Sequence, residues 1–206
     1  MLKIFLSICG YAIIILKYII TDFKKERGGK VENIVTDRLM IRTFQPSDWK
    51  DMYEYLSDRE TVAFEPYDIY SEAQAEKEAI RRSNDESFYA VCLKGTGKLI
   101  GNLYLGKEDF NTWELGYVFN RMYHGQGYAT ESAKALLDHA FTQLGARRII
   151  AMCNPKNDHS WMLLERLHMR REGHLLQNIY FKTNSNGEPV WLDTFEYAVL
   201  RTEWCQ

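Results

Sequence analysis

From residue 38 onward, two hydrophobic periods alternate along the chain. Arg38-Leu39-Met40-Ile41-Arg42-Thr43-Phe44 switches between apolar and polar positions and predicts a first strand. Pro46-Ser47-Asp48 then opens a helix, with Ser47 placed to cap it and Trp49, Met52, Tyr53 and Leu56 recurring at helical spacing. Ser71 starts a second helix, whose early Glu72, Glu76 and Glu78 suit its positive N-terminal end. Residues 88–94 and 98–105 flank the hairpin turn Gly95-Thr96-Gly97, and residues 113–120 add a third strand to this meander. Gly101 and Gly116, inside strands, predict a bulge or a close backbone approach. Beyond Gly125 the period becomes helical. Ala129, Ala133, Leu136, Leu137, Ala140, Phe141 and Leu144 form one apolar face, and Gly145 supplies the stop. A buried strand at 147–153 and a helix at 157–167 follow. Strands near 170–182 and 190–200 close the chain, joined by the turn Asn184-Ser185-Asn186-Gly187. The order β-α-α-β-β-β-α-β-α-β-β predicts an α+β domain with a mixed central sheet and helices on its faces.

Residues 1–30 do not fit this pattern. Residues 2–20 are almost wholly apolar, and the following stretch carries Lys24, Lys25, Arg27 and Lys30. As a membrane helix the run suits a hydrocarbon layer of roughly 30 Å, with the basic cluster favouring a domain on the inner face. As a signal peptide it lacks a small-x-small cleavage site. A third reading is a misassigned start. Arg27-Gly28-Gly29-Lys30-Val31 can be encoded by AGA-GGA-GGA-AAA-GUG, a purine-rich ribosome-binding sequence just before a GUG start codon at Val31. The expected organisation is therefore a leader or anchor at 1–30 and one domain at 31–206.

Composition narrows the function classes. A formal charge of −2 gives no general basic field, so nucleic acid is not an expected partner. Cys9, Cys92, Cys153 and Cys205 are scattered without a Cys-x-x-Cys spacing, which argues against zinc or a disulfide framework and suits a reduced, cytoplasmic setting. His139, His159, His168 and His174 show no ligand spacing, and no metal is expected.

The candidate chemistry centres on His124-Gly125-Gln126-Gly127-Tyr128-Ala129-Thr130-Glu131, between a strand and a long helix. Two glycines permit a tight turn, and the helix start adds unpaired N–H groups and a positive dipole end. Together they suit a pyrophosphate. The pattern is neither a P-loop nor a dinucleotide fingerprint. With Tyr123 it resembles the acetyl-CoA loop of the GNAT superfamily, Gln/Arg-x-x-Gly-x-Gly/Ala, with His124 where Gln or Arg is usual. Asn157-Asp158-His159-Ser160 and the following Leu163-Leu164-Glu165-Arg166-Leu167 resemble a second family segment. Glu114-Leu115-Gly116-Tyr117-Val118-Phe119 resembles the strand that pairs with the pantetheine arm. Thr36-Asp37-Arg38-Leu39-Met40-Ile41-Arg42 resembles the opening of the branch that contains the ribosomal-protein N-terminal acetyltransferases (RimJ/RimL-like). Two departures stand out: Leu164 occupies the place of a thiolate-protonating tyrosine, and His168-Met169 replaces Gly-Phe.

This resemblance implies a largely antiparallel GNAT-like sheet and direct attack of an amine on acetyl-CoA, with no metal. Val118, Phe119, His124, Gly125, Gln126, Gly127, Tyr128, Ala129, Thr130, Asn157 and Ser160 are the implied cofactor residues. An N–H on the Glu114–Phe119 strand is the implied oxyanion donor. Glu114 is the candidate base, with a solvated strand carboxylate as the plain alternative. Ser160 is the candidate donor to the leaving sulfur, unless it only satisfies a local amide. Asn157 caps its helix, and Cys153 reads as a buried thiol rather than a nucleophile. Trp161 and Trp191 pack by default, although either could line the acceptor side. Residues Glu65-Pro66-Tyr67-Asp68 and the 184–187 turn are expected to shape the acceptor cleft. The acceptor is a protein N-terminal amine or a small-molecule amine, and the aromatic content would suit a homodimer. Two rivals compete: a non-catalytic acyl-CoA sensor and a membrane-tethered modifier.

Overall fold

The computed structural model describes residues 33–204; all three readings of the leader, and Cys9 and Cys205, lie outside the described residues. Among the described residues no helix is long and apolar enough to cross a membrane.

The strands are β1 (Ile34–Val35), β2 (Leu39–Thr43), β3 (Phe88–Leu93), β4 (Leu99–Lys107), β5 (Thr112–Phe119), β6 (Arg148–Cys153), β7 (Arg170–Thr183) and β8 (Pro189–Leu200). They form one eight-stranded sheet in the order β1-β2-β3-β4-β5-β6-β8-β7. Every neighbouring pair is antiparallel except β5 and β6. This is the expected α+β, largely antiparallel architecture.

Alternation along the strands divides the core between the two faces. Tyr89 and Val91 of β3 pack with α3 (Tyr128–Thr142) and α4 (Asp158–Arg166), while Phe88, Ala90 and Cys92 pack with α1 (Trp49–Leu56) and Ala79 of α2 (Glu72–Ser83). Ala133, Leu136, Leu137, Ala140 and Phe141 are the buried stripe of α3 that the sequence predicts. Truncating such a leucine to alanine costs about 2–5 kcal/mol. The helix stops as expected, with Gly145 at φ +69° and the Ala146 N–H returning to the Ala140 carbonyl at 3.0 Å.

Two local expectations need correction. Ser47 caps nothing: a 3-10 turn at Pro46–Asp48 precedes α1, and its cap is reciprocal between Gln45 and Asp48. The Asp48 carboxylate accepts from the Gln45 N–H at 2.8 Å and from both terminal nitrogens of Arg42 at 2.8 Å, so a carboxylate outcompetes a hydroxyl there. The two strand glycines also differ. The register shifts by one residue between Val91 and Cys92, which places a bulge at Ile100. A Cβ on the neighbouring Gly101 would lie 2.5 Å from the Phe119 ring and 2.7 Å from the Val118 carbonyl. At Gly116 a Cβ would make ordinary contact with Tyr104, at 3.4 Å, so that glycine answers to no close approach.

Candidate active site

The parallel pair creates the site. β4 follows β5 along its whole length, from Lys107↔Trp113 to Gly101↔Phe119. β6 pairs with β5 only from Thr112↔Arg148 to Leu115↔Ala151, then continues beside β8 to Cys153↔Phe195. Past Leu115 the strands part, and one edge of residues 116–119 has no strand on it. Backbone donors and acceptors on such an edge demand partners, and an extended ligand carrying amides can supply them. The split opens into a cleft of about 1060 Å³ that runs from Leu115 and Cys153 to the start of α3.

At the open end lies the loop into α3. Gly125 (φ +74°) and Gly127 (φ +82°) both occupy left-handed backbone, which a side chain would strain. Gly127 caps a helix that offers no side-chain cap, so its first N–H groups are left for a ligand. Gly127, Tyr128, Ala129 and Thr130 all line the cleft, as do Arg166 and His159. His124 lines it too, with its Nε2 3.1 Å from the Phe119 carbonyl and its ring centroid 5.8 Å from that of His159. Arg166 beside helix N–H groups makes this end suited to phosphates.

Arg38 braces this loop from β2's end of the sheet. Its guanidinium pairs with Glu131 at 2.6 Å, donates to the Gln126 carbonyl at 2.9 Å and stacks 4.5 Å from the Tyr128 ring centroid. Thr36 donates to the same carboxylate at 2.6 Å. These contacts hold the Glu131 pKa below the ordinary carboxylate value, against a desolvation that alone would raise it. The Arg38 brace was not foreseen from the sequence, because its partners lie some ninety residues downstream.

The closed end carries hydroxyls. Asn157 caps α4, accepting from the Ser160 N–H at 3.2 Å, and so sets Ser160 facing β5. There the Tyr117 hydroxyl lies 2.9 Å from Ser160 Oγ and donates to the Ser160 carbonyl at 3.0 Å. Burial pushes the Tyr117 pKa far up, so its hydroxyl stays protonated. Cys153 shares the site, and burial raises its thiol to about 11, which leaves it un-ionised and unsuited to nucleophilic work.

On the acceptor side the cleft is lined by Glu60, Thr61, Phe64 and Glu65 ahead of α2, and by Ile179, Phe181, Leu192, Asp193 and Thr194 of the β7–β8 hairpin. Asp68 and Lys182 join the two walls at 2.8 Å. The stem of that hairpin, not its tip at 184–187, faces the cleft. Trp161 and Trp191 stay outside it; Trp161 donates to Asp158 at 3.2 Å, and Trp191 stacks edge-on against Tyr180.

Val118, Phe119, His124, Gly125, Gly127, Tyr128, Ala129, Thr130, Asn157 and Ser160 thus line one cleft. Gln126 takes part only through the carbonyl held by Arg38. Glu114 is only 6% exposed, sits in the fully paired part of β5 opposite Gly106 and Ile150, and does not line the cleft. The reason is strand geometry: Glu114 precedes the split, and its neighbours Leu115 and Tyr117 point to the α3–α4 face. Leu164, where the tyrosine acid would stand, is fully buried in the core. Tyr117 brings a phenol to the cleft from the strand instead, and the sequence offered no sign of it beyond its place in the β5 motif.

A sheet split between parallel strands, facing a glycine-capped helix start, forms a cleft with free backbone groups along one wall and at one end. Residues 38–170 match the family model described as an acetyltransferase (GNAT) domain, and the chain belongs to that family. It is 35% identical over 177 residues to the uncharacterized N-acetyltransferase YnaD of Bacillus subtilis, an alignment spanning 84% of this chain and 99% of that protein. A solved GNAT-family acetyltransferase from Bacillus anthracis superposes with a TM-score of 0.74 at 33% identity, covering 84% of this chain and all (100%) of the other. The spermidine N-acetyltransferase from Vibrio cholerae, solved with CoA and spermine, shares the fold at a TM-score of 0.69 and 18% identity, over 83% of this chain and 100% of that one. The chain is an acetyltransferase.

Proposed function

We propose that the protein moves the acetyl group of acetyl-CoA to a primary amine by direct attack within a ternary complex, with a protein N terminus or a small-molecule amine as acceptor. The observation that carries this reading is the split between β5 and β6, which joins the Gly127 helix start at one end to the Ser160–Tyr117 hydroxyls at the other.

The residues present fit acetyl-CoA. The N–H groups at the start of α3, with Arg166 and His124, would hold its phosphates, and the free edge of residues 116–119 would accept its pantetheine amides. When bound, it supplies an activated acetyl group and a thiolate leaving group. A β5 N–H beyond the split steadies the negative charge that develops on the acetyl oxygen. Ser160, oriented by Asn157 and Tyr117, donates to the departing sulfur. Cys153, kept as a thiol, favours transfer in one step over a covalent enzyme intermediate. The resemblance of residues 36–42 is what supports a RimJ/RimL-like placement.

The test is incubation with acetyl-CoA and a panel of primary amines: peptides with alanine or serine N termini, spermidine and an aminoglycoside. Amine-dependent release of free thiol, with a matching acetyl mass gain on one acceptor, is expected. Binding of acetyl-CoA with no transfer to any amine would contradict the catalytic reading.

A further inference from the structure

The cleft needs a group that takes the proton of the attacking amine, and Glu114 does not reach it. Glu65 does. It stands between α1 and α2 and lines the same cleft as Tyr117 and Ser160. Its backbone is fixed by an N–H bond to the Val62 carbonyl at 3.0 Å, and the Asp68–Lys182 pair three residues on ties this turn to the hairpin. The charged and titratable groups around it are Tyr67 and Tyr70 on its own side, Arg82 on α2 and Tyr117 on β5.

We infer that Glu65 is the general base of the acetyl transfer, a role that rests on the acetyltransferase reading above. As the amine nitrogen bonds to the acetyl carbon, its proton passes to the Glu65 carboxylate. The carbon–sulfur electron pair leaves with sulfur, which receives the hydrogen bond from Ser160. Sulfur ends with the proton that Glu65 releases to solvent, so amine plus thioester become amide plus thiol. Glu65 accepts a proton and Ser160 donates a hydrogen bond within one cleft, the division of labour such a transfer requires.

The ionisation of Glu65 agrees with this placement. Desolvation raises its carboxyl to about 7, outweighing the hydrogen bond from Tyr67 and the attraction of Arg82, which both act to lower it. Arg82 is engaged elsewhere, its Nε bound to Glu78 at 2.7 Å and its guanidinium 4.7 Å from the Phe88 ring centroid. A carboxylate poised near neutrality is matched to accepting a proton at physiological pH.

The decisive experiment is the pH profile of kcat/KM for full-length protein and its E65Q and E65D variants, with acetyl-CoA and alaninamide as the minimal mimic of a peptide N terminus. The wild type is expected to gain activity through an ionisation near the Glu65 value. E65Q should lose about 100-fold or more in kcat with acetyl-CoA affinity unchanged and that limb gone, and E65D should recover part of the rate. The amine's own ionisation is common to all three proteins. An E65Q enzyme that keeps both rate and limb overturns the assignment. If wild type does not acetylate alaninamide, the acceptor reading fails for N-terminal amines and Glu65 is judged by carbon NMR of glutamate carboxyls. A signal absent from E65Q and titrating near neutrality supports the role; an ordinary carboxylate value overturns it.

Discussion

Replacing Glu65 by glutamine tests the environment of that carboxyl without any substrate. Burial lifts it from 4.5 to about 7, a difference of roughly 2.5 pH units, or about 3 kcal/mol between its two protonation states. Partial exposure makes that an upper figure. The folded pKa lies above the unfolded one, so the folded state is favoured with Glu65 protonated. That contribution is complete below the unfolded value and is lost as the pH rises through the folded value. Glutamine mimics the protonated acid and never ionises. Urea unfolding of E65Q and wild type should therefore agree within about 1 kcal/mol near pH 5, while near pH 8.5 E65Q should be the more stable by about 2–3 kcal/mol. Subtracting wild type from variant at each pH cancels every distant group that titrates alike in both. A gap that does not change with pH would show that Glu65 is not desolvated, and the inference about its chemistry would lose its electrostatic support.

Other consequences follow from the site and its supports. G127A places a Cβ at φ +82° and 3.3 Å from the Arg38 guanidinium; it should cost about 1–2 kcal/mol in melting experiments and weaken acetyl-CoA binding in calorimetry. Unchanged affinity would mean that the loop is only a turn. S160A and Y117F should each lower kcat by about 10-fold to 100-fold with little change in acetyl-CoA Kd, and a double variant no worse than either single one would show that the two hydroxyls act as a unit. H168G should stabilise the fold by up to about 1 kcal/mol, because His168 sits at φ +56°, where glycine is unstrained. A destabilised H168G would reveal a side-chain contact that outweighs the backbone relief.

Much of the fold was legible in the sequence because its signals are local. The hairpin glycines, the Ser71 start of α2 and the apolar stripe of α3 each act within a few residues, and each element stands where its pattern predicts. The lining of the proposed cofactor end was readable for the same reason: Gly125 to Thr130 and Asn157 to Ser160 are contiguous stretches. Ser160 was named from its segment, but the groups that face it were not. Glu114 and Glu65 are both glutamates in ordinary sequence surroundings; the end of the β5–β6 pairing at Leu115 leaves Glu114 outside the cleft, and the turn ahead of α2 brings Glu65 to it. Tyr117 and Ser160 are forty-three residues apart, and their hydrogen bond exists only once α4 packs on β5. Ser47 shows the same limit at short range, since the pairing of Asp48 with Arg42 and the Gln45 N–H put the cap at Gln45.

Isothermal titration of the full-length protein with acetyl-CoA, repeated on G127A, examines the reading at its foundation. Stoichiometric binding to the wild type, weakened in G127A, is the expected result and places the cofactor at the start of α3. No binding at about millimolar acetyl-CoA, a level well above the usual affinity of an enzyme for its cofactor, would contradict the assignment of the split sheet as an acetyl-CoA site.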